Sequence, residues 1–303
     1  MVSVNYLSAL SLKISAILKR IFSALALLLS AWSASAQKHH EIGLVAGVSN
    51  YYGDLEQRWL PKRNYHPVAG ISYKYFVTPR IGLRAGVSYT KLSAADSLSD
   101  VPVYRGRNLS FSTNLLELSG GVEINFLPIT RERFKITPYI FGGIAGFYFN
   151  PYAYDRNGDQ VYLKPLSTEG QGLDRYPDRK PYSLFNVAFP VGGGMKFFVG
   201  KTLMITTEVG FRYCATDYLD DVSQSYVSLD TLRAYRGQQS ADFSFRGDEI
   251  SSFAPNGGAI YPDYKYQRGN PKANDWYWFG TLGVSIYLDA FGNRQSYEPT
   301  KCR

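Results

Sequence analysis

The sequence is poor in the residues that most catalytic and disulfide-stapled proteins use. It has two cysteines and three histidines in 303 residues. Two cysteines, Cys214 and Cys302, cannot supply the disulfide framework of a small secreted scaffold, and we expect both thiols to be unpaired within the chain. Nucleophilic catalysis most often relies on a histidine base, so three histidines leave few arrangements open. These scarcities favour a non-catalytic protein without a cofactor.

Long apolar runs and clustered positive charge are also missing. After residue 36 no stretch stays apolar for ~18 residues, which excludes membrane-spanning helices in that part of the sequence. The formal net charge is +8, but its cations are scattered along the chain. Nucleic-acid-binding proteins instead concentrate Lys and Arg on one face. We therefore expect no nucleic-acid partner.

The first 36 residues have the pattern of a cleavable secretory signal. Lys19 and Arg20 precede an apolar run from Ile21 to Trp32, and the small residues Ala34-Ser35-Ala36 follow it. A basic start, a short apolar segment and an A-x-A-like site are typical of such signals. Twelve apolar residues are too few for a membrane span, which needs ~20. The mature protein is expected to begin after residue 36.

Periodicity indicates the architecture. Eight segments alternate apolar residues with small or polar ones at a period of two: His40 to Tyr52, Tyr65 to Val77, Ile81 to Leu92, Phe111 to Phe126, Ile136 to Phe149, Ser183 to Val199, Leu203 to Asp217 and Asn274 to Leu288. Each meets or exceeds the ~9–11 residues of a tilted transmembrane strand. The pattern predicts an all-β fold, an eight-stranded antiparallel transmembrane β-barrel over residues 37–288. A periplasmic tail over 289–303 follows.

The connections between these segments alternate in length. Three are short, and four are long, the latter covering residues 53–64, 93–110, 150–182 and 218–273. Outer-membrane barrels have short periplasmic turns and longer extracellular loops. The alternation therefore predicts a protein of the bacterial outer membrane, with lipid as its surroundings. Aromatic residues near the strand ends, Tyr51, Tyr139 and Phe149 among them, are expected at the lipid–water interface.

Charged residues within the predicted strands fall on the polar face of the alternation. They are Lys74, Arg84, Glu117, Glu123, Lys196, Glu208 and Arg212. The interior of an eight-stranded barrel is just wide enough for side chains to fill it. Unpaired charges in that space would be costly, so we expect the four cations to pair with the three carboxylates. A filled interior also argues against a diffusive pore.

The histidines are the first candidates for chemistry. His39 and His40 are expected at the periplasmic end of the first strand and His66 at the outer end of the second. No Ser or Asp is placed by the sequence to complete a catalytic triad with them, so hydrolytic catalysis is not expected.

Three aspartates at the start of the longest loop are weak metal candidates: Asp217, Asp220 and Asp221. Carboxylates bind Ca²⁺, but their spacing matches no known loop signature. We favour a charged turn that caps the seventh strand and pairs with loop arginines.

Several segments carry a resemblance to a known family. They are SNYYGDL (49–55), RNLSF (107–111), PYIFGGIAGFYFNP (138–151), PLSTEGQG (165–172), TDYLDDVS (216–223) and RGNPKANDWYWF (268–279). In this order they resemble the PorG-like outer-membrane barrels of Bacteroidetes, components of the type IX secretion system. The resemblance implies a non-catalytic barrel that tethers a periplasmic ring of PorK and PorN proteins to the outer membrane. The tail with Cys302 has no counterpart in that pattern.

A ring in the periplasm could contact only the short turns, the tail and the first mature residues. The longest short turn offers charged residues beside apolar ones, which suits a polar rim around an apolar anchor. The candidate contact residues are Arg131, Glu132, Arg133, Phe134, Phe291 and Tyr297. A solvated turn of no consequence remains the alternative for that segment. The alternative for the whole protein is a surface barrel whose loops 150–182 and 218–273 bind glycans or proteins.

Overall fold

The computed structural model describes residues 39–128, 136–199, 202–250 and 266–288. The predicted signal segment and tail therefore lie outside the described residues. So do all six candidate ring-contact residues: Arg131, Glu132, Arg133, Phe134, Phe291 and Tyr297.

Eight long antiparallel strands form a closed barrel. They are β1 (His39–Tyr52), β2 (His66–Phe76), β3 (Ile81–Ala95), β4 (Ser110–Asn125), β5 (Ile136–Tyr148), β8 (Phe185–Val199), β9 (Leu203–Cys214) and β10 (Trp276–Tyr287). Each pairs with the next along the chain, β1 pairs with β10, and the pairing of β3 with β4 completes the ring. The predicted eight-stranded antiparallel barrel is confirmed. The strand bounds differ from the predicted ones by at most three residues.

The outward side of the wall is apolar. Alternation turns every second residue outward, and these positions carry large exposed side chains such as Leu44, Leu118 and Leu282, at 67%, 65% and 63% exposure. Aliphatic side chains exposed all around a barrel form the kind of belt that faces lipid. Among the described residues no helix combines the length and the apolar character that a bilayer span would need.

Four long connections lie at one end of the barrel: L1 (53–65), L2 (96–109), L3 (149–184) and L4 (215–275, described over 215–250 and 266–275). L3 contains the short hairpin β6 (Tyr152–Tyr154) and β7 (Gln160–Tyr162). L2 contains helix α1 (Pro102–Arg107), and L4 contains α2 (Leu229–Arg236) and α3 (Gln238–Ser244).

The main apolar core lies where these loops meet the barrel. Strand and loop residues form one buried cluster, which includes Tyr51, Leu92, Leu115, Phe147 and Cys214 from the wall and Leu55, Leu166, Leu219, Val222 and Phe243 from the loops. Because burial of apolar surface is the main stabilising contribution, the loops are part of the folded core rather than free appendages. They cover the loop end of the barrel.

Glycines in β8 make room for aromatic rings in the interior. A Cβ at Gly194 would lie 2.9 Å from the hydroxyl of Tyr139, and one at Gly192 would lie 2.8 Å from the ring of Phe141. Such contacts are shorter than a methyl group tolerates. The two glycines therefore allow the rings of β5 to lie against the wall of β8.

Candidate functional site

Charged side chains fill the interior of the barrel. The structure places all seven of the predicted residues on the inward face, together with Glu41, which sequence reasoning missed. They are Glu41, Lys74, Arg84, Glu117, Glu123, Lys196, Glu208 and Arg212. These eight groups comprise four cations and four carboxylates, so their formal charges cancel. Lys91 is an exception to the expected pattern. It lies on the outward face of β3, at the loop end, and its Nζ is 5.7 Å from the centre of the Tyr152 ring.

Glu123 is the centre of the larger group of interior charges. It is fully buried, and Lys196 donates to its Oε1. The Nζ of Lys74 lies 3.3 Å from Oε2 of Glu123 and 3.1 Å from Oε1 of Glu41. Arg84 approaches the same Oε2 at 4.0 Å. One carboxylate thus faces three cations from three strands, so removing it would leave buried positive charge uncompensated.

Arg84 connects this group to Glu208 through a two-pronged ion pair. Its Nη1 lies 2.9 Å from Oε2 and its Nη2 donates to Oε1 at 3.0 Å. The hydroxyl of Tyr139 also donates to Glu208, at 2.8 Å. The guanidinium lies 3.9 Å from the centre of the Phe141 ring. Bidentate geometry with an aromatic beneath the cation fixes the orientation of the pair.

A second, smaller group lies nearer the loops. Arg212 Nε donates to Glu117 at 3.2 Å, and the hydroxyl of Tyr277 donates to the same carboxylate oxygen at 2.7 Å. The Arg212 guanidinium lies 3.8 Å from the centre of the Phe279 ring. Two layers of ion pairs therefore bridge opposite walls of the barrel. This arrangement braces the wall and occupies the space that a diffusive pore would need.

One pairing in the structure was not expected from the sequence. His66 Nε2 lies 2.6 Å from the hydroxyl of Ser93, which belongs to the neighbouring strand. A serine nucleophile and a histidine base are two of the three groups of a catalytic triad, in which a third group orients the histidine. Among the described residues no Asp or Glu hydrogen-bonds this ring. His40 instead bonds the hydroxyl of Tyr73 at 2.8 Å, far from His66 along the wall.

A buried arginine fastens L2 to two other loops. Arg107 grips Asp96 with two hydrogen bonds, Nε to Oδ2 at 2.6 Å and Nη2 to Oδ1 at 2.7 Å. It also donates to the backbone carbonyl of Asp54 in L1 at 3.0 Å and to that of Arg268 in L4. The backbone N–H of Leu109 donates to Asp96 at 2.9 Å. One guanidinium thereby satisfies acceptors from three loops.

Glu169 fastens L3 to L4 in a similar way. Its carboxylate accepts the backbone N–H groups of Ser223 and Gln224, both at 3.0 Å, and Nη1 of Arg268 at 3.0 Å. Arg268 also donates to the carbonyl of Asp221 at 2.7 Å. Charge-assisted bonds to buried groups are the stronger class of hydrogen bond. The loops consequently form one connected core over the barrel.

The three candidate aspartates lie around a turn at residues 218–221, but among the described residues no arginine forms an ion pair with their carboxyl groups. Asp217, Asp220 and Asp221 are buried, with 8%, 1% and 0% exposure. Asp221 accepts hydrogen bonds from the hydroxyls of Thr168 at 2.5 Å and Tyr182 at 2.8 Å. Burial raises the pKa of Asp217 to about 9 and that of Asp221 to about 6.

The carboxyl groups of the same three aspartates point to different partners. In the described parts of the chain no group of three or more His, Cys, Asp or Glu could hold a metal ion. The physical reason is that their carboxyl groups bond different partners: Asp221 contacts L3, whereas Asp220 contacts β1.

Asp220 belongs to a separate buried group that spans the wall and L4. The hydroxyl of Tyr51 lies 2.7 Å from Oδ2 of Asp220 and 2.7 Å from Oδ1 of Asp275. The other carboxyl oxygens accept the backbone N–H groups of Val222 and Leu219, each at 2.9 Å. Burial raises the pKa of Asp275 to about 8 and holds the pKa of Asp220 well above its usual range. Sequence reasoning missed both Tyr51 and Asp275 as members of a polar site.

Closed strand pairing, an apolar exterior and a filled, charge-balanced interior define an eight-stranded β-barrel of the outer-membrane type. The chain belongs to the family described as Domain of unknown function (DUF6089), whose sequence pattern matches residues 19–247. No curated protein matches the sequence.

Solved structures with a similar arrangement of strands include three bacterial proteins. Neisserial surface protein A is 10% identical, with a TM-score of 0.40 over 82% of this chain and 96% of that one. Ail of Yersinia pestis, solved with the heparin analogue sucrose octasulfate, is 9% identical, with a TM-score of 0.39 over 83% and 99%. A major outer membrane protein of Thermus thermophilus is 12% identical, with a TM-score of 0.38 over 82% and 99%. Because these identities and TM-scores are low, the fold assignment rests on the strand pairing within this chain and not on these similarities.

Proposed function

We propose that the barrel resides in the bacterial outer membrane and serves there as a non-catalytic anchor of the type IX protein secretion machinery. The observation that carries a structural role is the interior, where four cations and four carboxylates fill the barrel in mutual contact. A braced and filled barrel suits a rigid attachment point better than a passage for solutes. The apolar belt supports residence in a bilayer.

The link to secretion rests on the resemblance to PorG-like barrels. Two of the segments that carry it, residues 216–223 and 268–279, supply Asp220, Asp221, Arg268 and Asp275 to the loop core and to the group around Tyr51. The resemblance therefore includes the residues that organise the loops, in addition to the alternating strands. By that resemblance the partner is the periplasmic ring of PorK-like and PorN-like proteins.

Crosslinking in whole cells tests the proposal. The full chain, carrying an affinity tag, is crosslinked, extracted with mild detergent, purified and analysed by mass spectrometry. We expect ring proteins to be enriched over an unrelated outer-membrane barrel treated in the same way. Recovery of the folded barrel without any ring protein, from cells in which the ring is assembled, would overturn the anchor.

Exposed aromatic residues on the loops favour a second candidate, a surface barrel that binds glycans or proteins. Tyr154, Tyr162 and Tyr235 are 48%, 47% and 64% exposed. Tyrosine is common at recognition surfaces because its ring is large and its hydroxyl polar. Crosslinks to extracellular proteins or glycans, in place of ring proteins, would favour this candidate.

A further inference from the structure

The group around Tyr51 has one phenolic hydrogen for two carboxyl groups. The hydroxyl of Tyr51 lies 2.7 Å from an oxygen of Asp220 and 2.7 Å from an oxygen of Asp275. A phenol can donate to only one of them. If both carboxyls were ionised, the second contact would bring two oxygens together with no hydrogen between them. A proton on one carboxyl removes the conflict, because that carboxyl then donates to the phenolic oxygen while the phenol donates to the other.

We propose that Tyr51, Asp220 and Asp275 share this proton and form a latch that holds loop L4 on the barrel wall, and that loss of the proton releases the loop. The latch joins three places in the fold. Tyr51 is on β1, Asp220 is in L4, and Asp275 is where L4 enters β10. Tyr51 is fully buried, with its ring edge-on to Phe111 at 4.9 Å.

The latch also holds the backbone of L4. Asp275 accepts the N–H of Leu219, and Asp220 accepts that of Val222, each at 2.9 Å. Leu219 and Val222 are buried in the same apolar cluster as Cys214 of β9. If the carboxyls separate, these two backbone bonds are lost with them, and the apolar cover over Cys214 is expected to open.

The surroundings favour retention of the proton. The titratable and charged groups that face the latch are Asp54 from L1, Arg107 from L2, Tyr182 from L3, Asp217 within L4, and Cys214 at the end of β9. The one cation among them, Arg107, is already engaged by Asp96. Nearby carboxylates and burial both disfavour a second negative charge on the latch.

The sign of the pH dependence follows from the number of protons bound. With the loop closed, the pKa of Asp275 is about 8. With the loop released, the pKa of an aspartate is about 4. Between these values the closed form binds the additional proton, so closure becomes less favourable as the pH rises from about 4 to about 8. Above that range the latch has lost its proton.

Cys214 provides a reporter for opening of the loop. The full chain with Cys302→Ser is purified in detergent, and the rate of Cys214 labelling by a water-soluble maleimide is measured from pH 6 to pH 9. Asp220→Asn is the diagnostic variant, because its amide can donate to the Tyr51 oxygen and so replaces the shared proton. We expect the ratio of parent to variant rates to rise about tenfold or more over this range, since one proton changes an equilibrium up to ~10-fold per pH unit. Identical pH profiles in parent and variant would overturn the latch.

Two further chains refine the test. Asp100→Asn, at an aspartate whose side chain is 86% exposed in L2, should keep the parent profile. In the double variant Asp220→Asn with Asp275→Asn both amide NH2 groups face the phenol and its hydrogen has no acceptor, so we expect faster labelling than in Asp220→Asn at every pH. Equal rates of Cys214 labelling in the double variant and the Asp220→Asn single variant would contradict the proposed arrangement of hydrogens around Tyr51.

Hydrogen exchange gives an answer even where a variant does not fold. In the parent chain, protection of the Leu219 and Val222 amides, corrected for intrinsic exchange, should fall from pH 6 to pH 9. The amides of paired strand residues should keep theirs. Protection at 219–222 that does not change with pH would also refute the proposal.

Discussion

Alternation along each strand determines which side chains enter the barrel. It placed seven interior charges correctly on the inward face, and it could have found Glu41, whose neighbour Ile42 is exposed. The expectation that Tyr51, Tyr139 and Phe149 lie at the lipid interface was wrong, because the same alternation turns all three inward, where they are 0%, 2% and 0% exposed. The partners of each charge could not be predicted. Arg212 and Glu117 are 95 residues apart and meet only through the stagger of the closed barrel.

Replacement of Glu123 by Leu tests whether the interior charges stabilise the barrel. The change leaves Lys196 and Lys74 without their shared carboxylate in a buried site. We expect the free energy of unfolding to fall by about 3–5 kcal/mol, the range for breaking a buried ion pair by removing one partner. Urea unfolding in lipid vesicles measures it. Asp100→Asn, at an exposed ion pair with Arg58, is the matched control and should change little. Equal stability of the Leu variant and the parent would refute the role of Glu123.

At the scale of elements, the strands were predictable and the loops were not. Period-two alternation over a dozen residues is a strong signal, so all eight barrel strands were found. Helices α2 and α3 have eight and seven residues. Helices this short are not stable by themselves and depend on tertiary contacts, so the sequence of L4 gave little indication of them. The aspartates of L4 were expected to pair with loop arginines in a charged turn. Their burial depends on L3 and β1, so the sequence of L4 alone did not indicate it.

The glycines of β8 lead to a prediction about the wall itself. A methyl group at Gly194 would meet the Tyr139 hydroxyl and the backbone carbonyl of Thr207. We expect Gly194→Ala to lower the free energy of unfolding by about 1–3 kcal/mol, the usual cost of overpacking. Gly120→Ala is the matched control, because nothing lies within 4 Å of its Cβ position. Heat-dependent mobility in detergent gels, together with unfolding in urea, measures both variants. A Gly194 variant as stable as the Gly120 variant would show that the Tyr139 ring and the backbone at Thr207 both have room to move.

At the scale of the whole molecule, the two ends of the barrel differ in what they offer a partner. At the loop end, L1 to L4 are joined by Arg107, Glu169 and Arg268 into one packed cover. At the opposite end the connections within the described residues are short, such as 77–80 between β2 and β3. If the loops face the cell exterior, a periplasmic ring can reach only the second end. The anchor hypothesis thus requires its contacts to lie in short turns or beyond β10.

The last prediction concerns which end binds the ring. Arg131→Glu with Arg133→Glu, combined with truncation after Asp289, reverses the charge of the longest turn and removes Phe291 and Tyr297. We expect this chain to insert as a folded barrel but to lose crosslinks to the ring, because charge reversal at an interface rim disfavours the original partner. The matched control changes the loop end instead: Val103→Asp with Tyr235→Ala, at side chains that are 76% and 64% exposed, should keep the ring crosslinks. Crosslinking in whole cells compares the two chains at equal barrel abundance. If the loop variant loses the ring while the turn-and-tail variant keeps it, the partner binds the loop end, and the proposed anchor role is wrong.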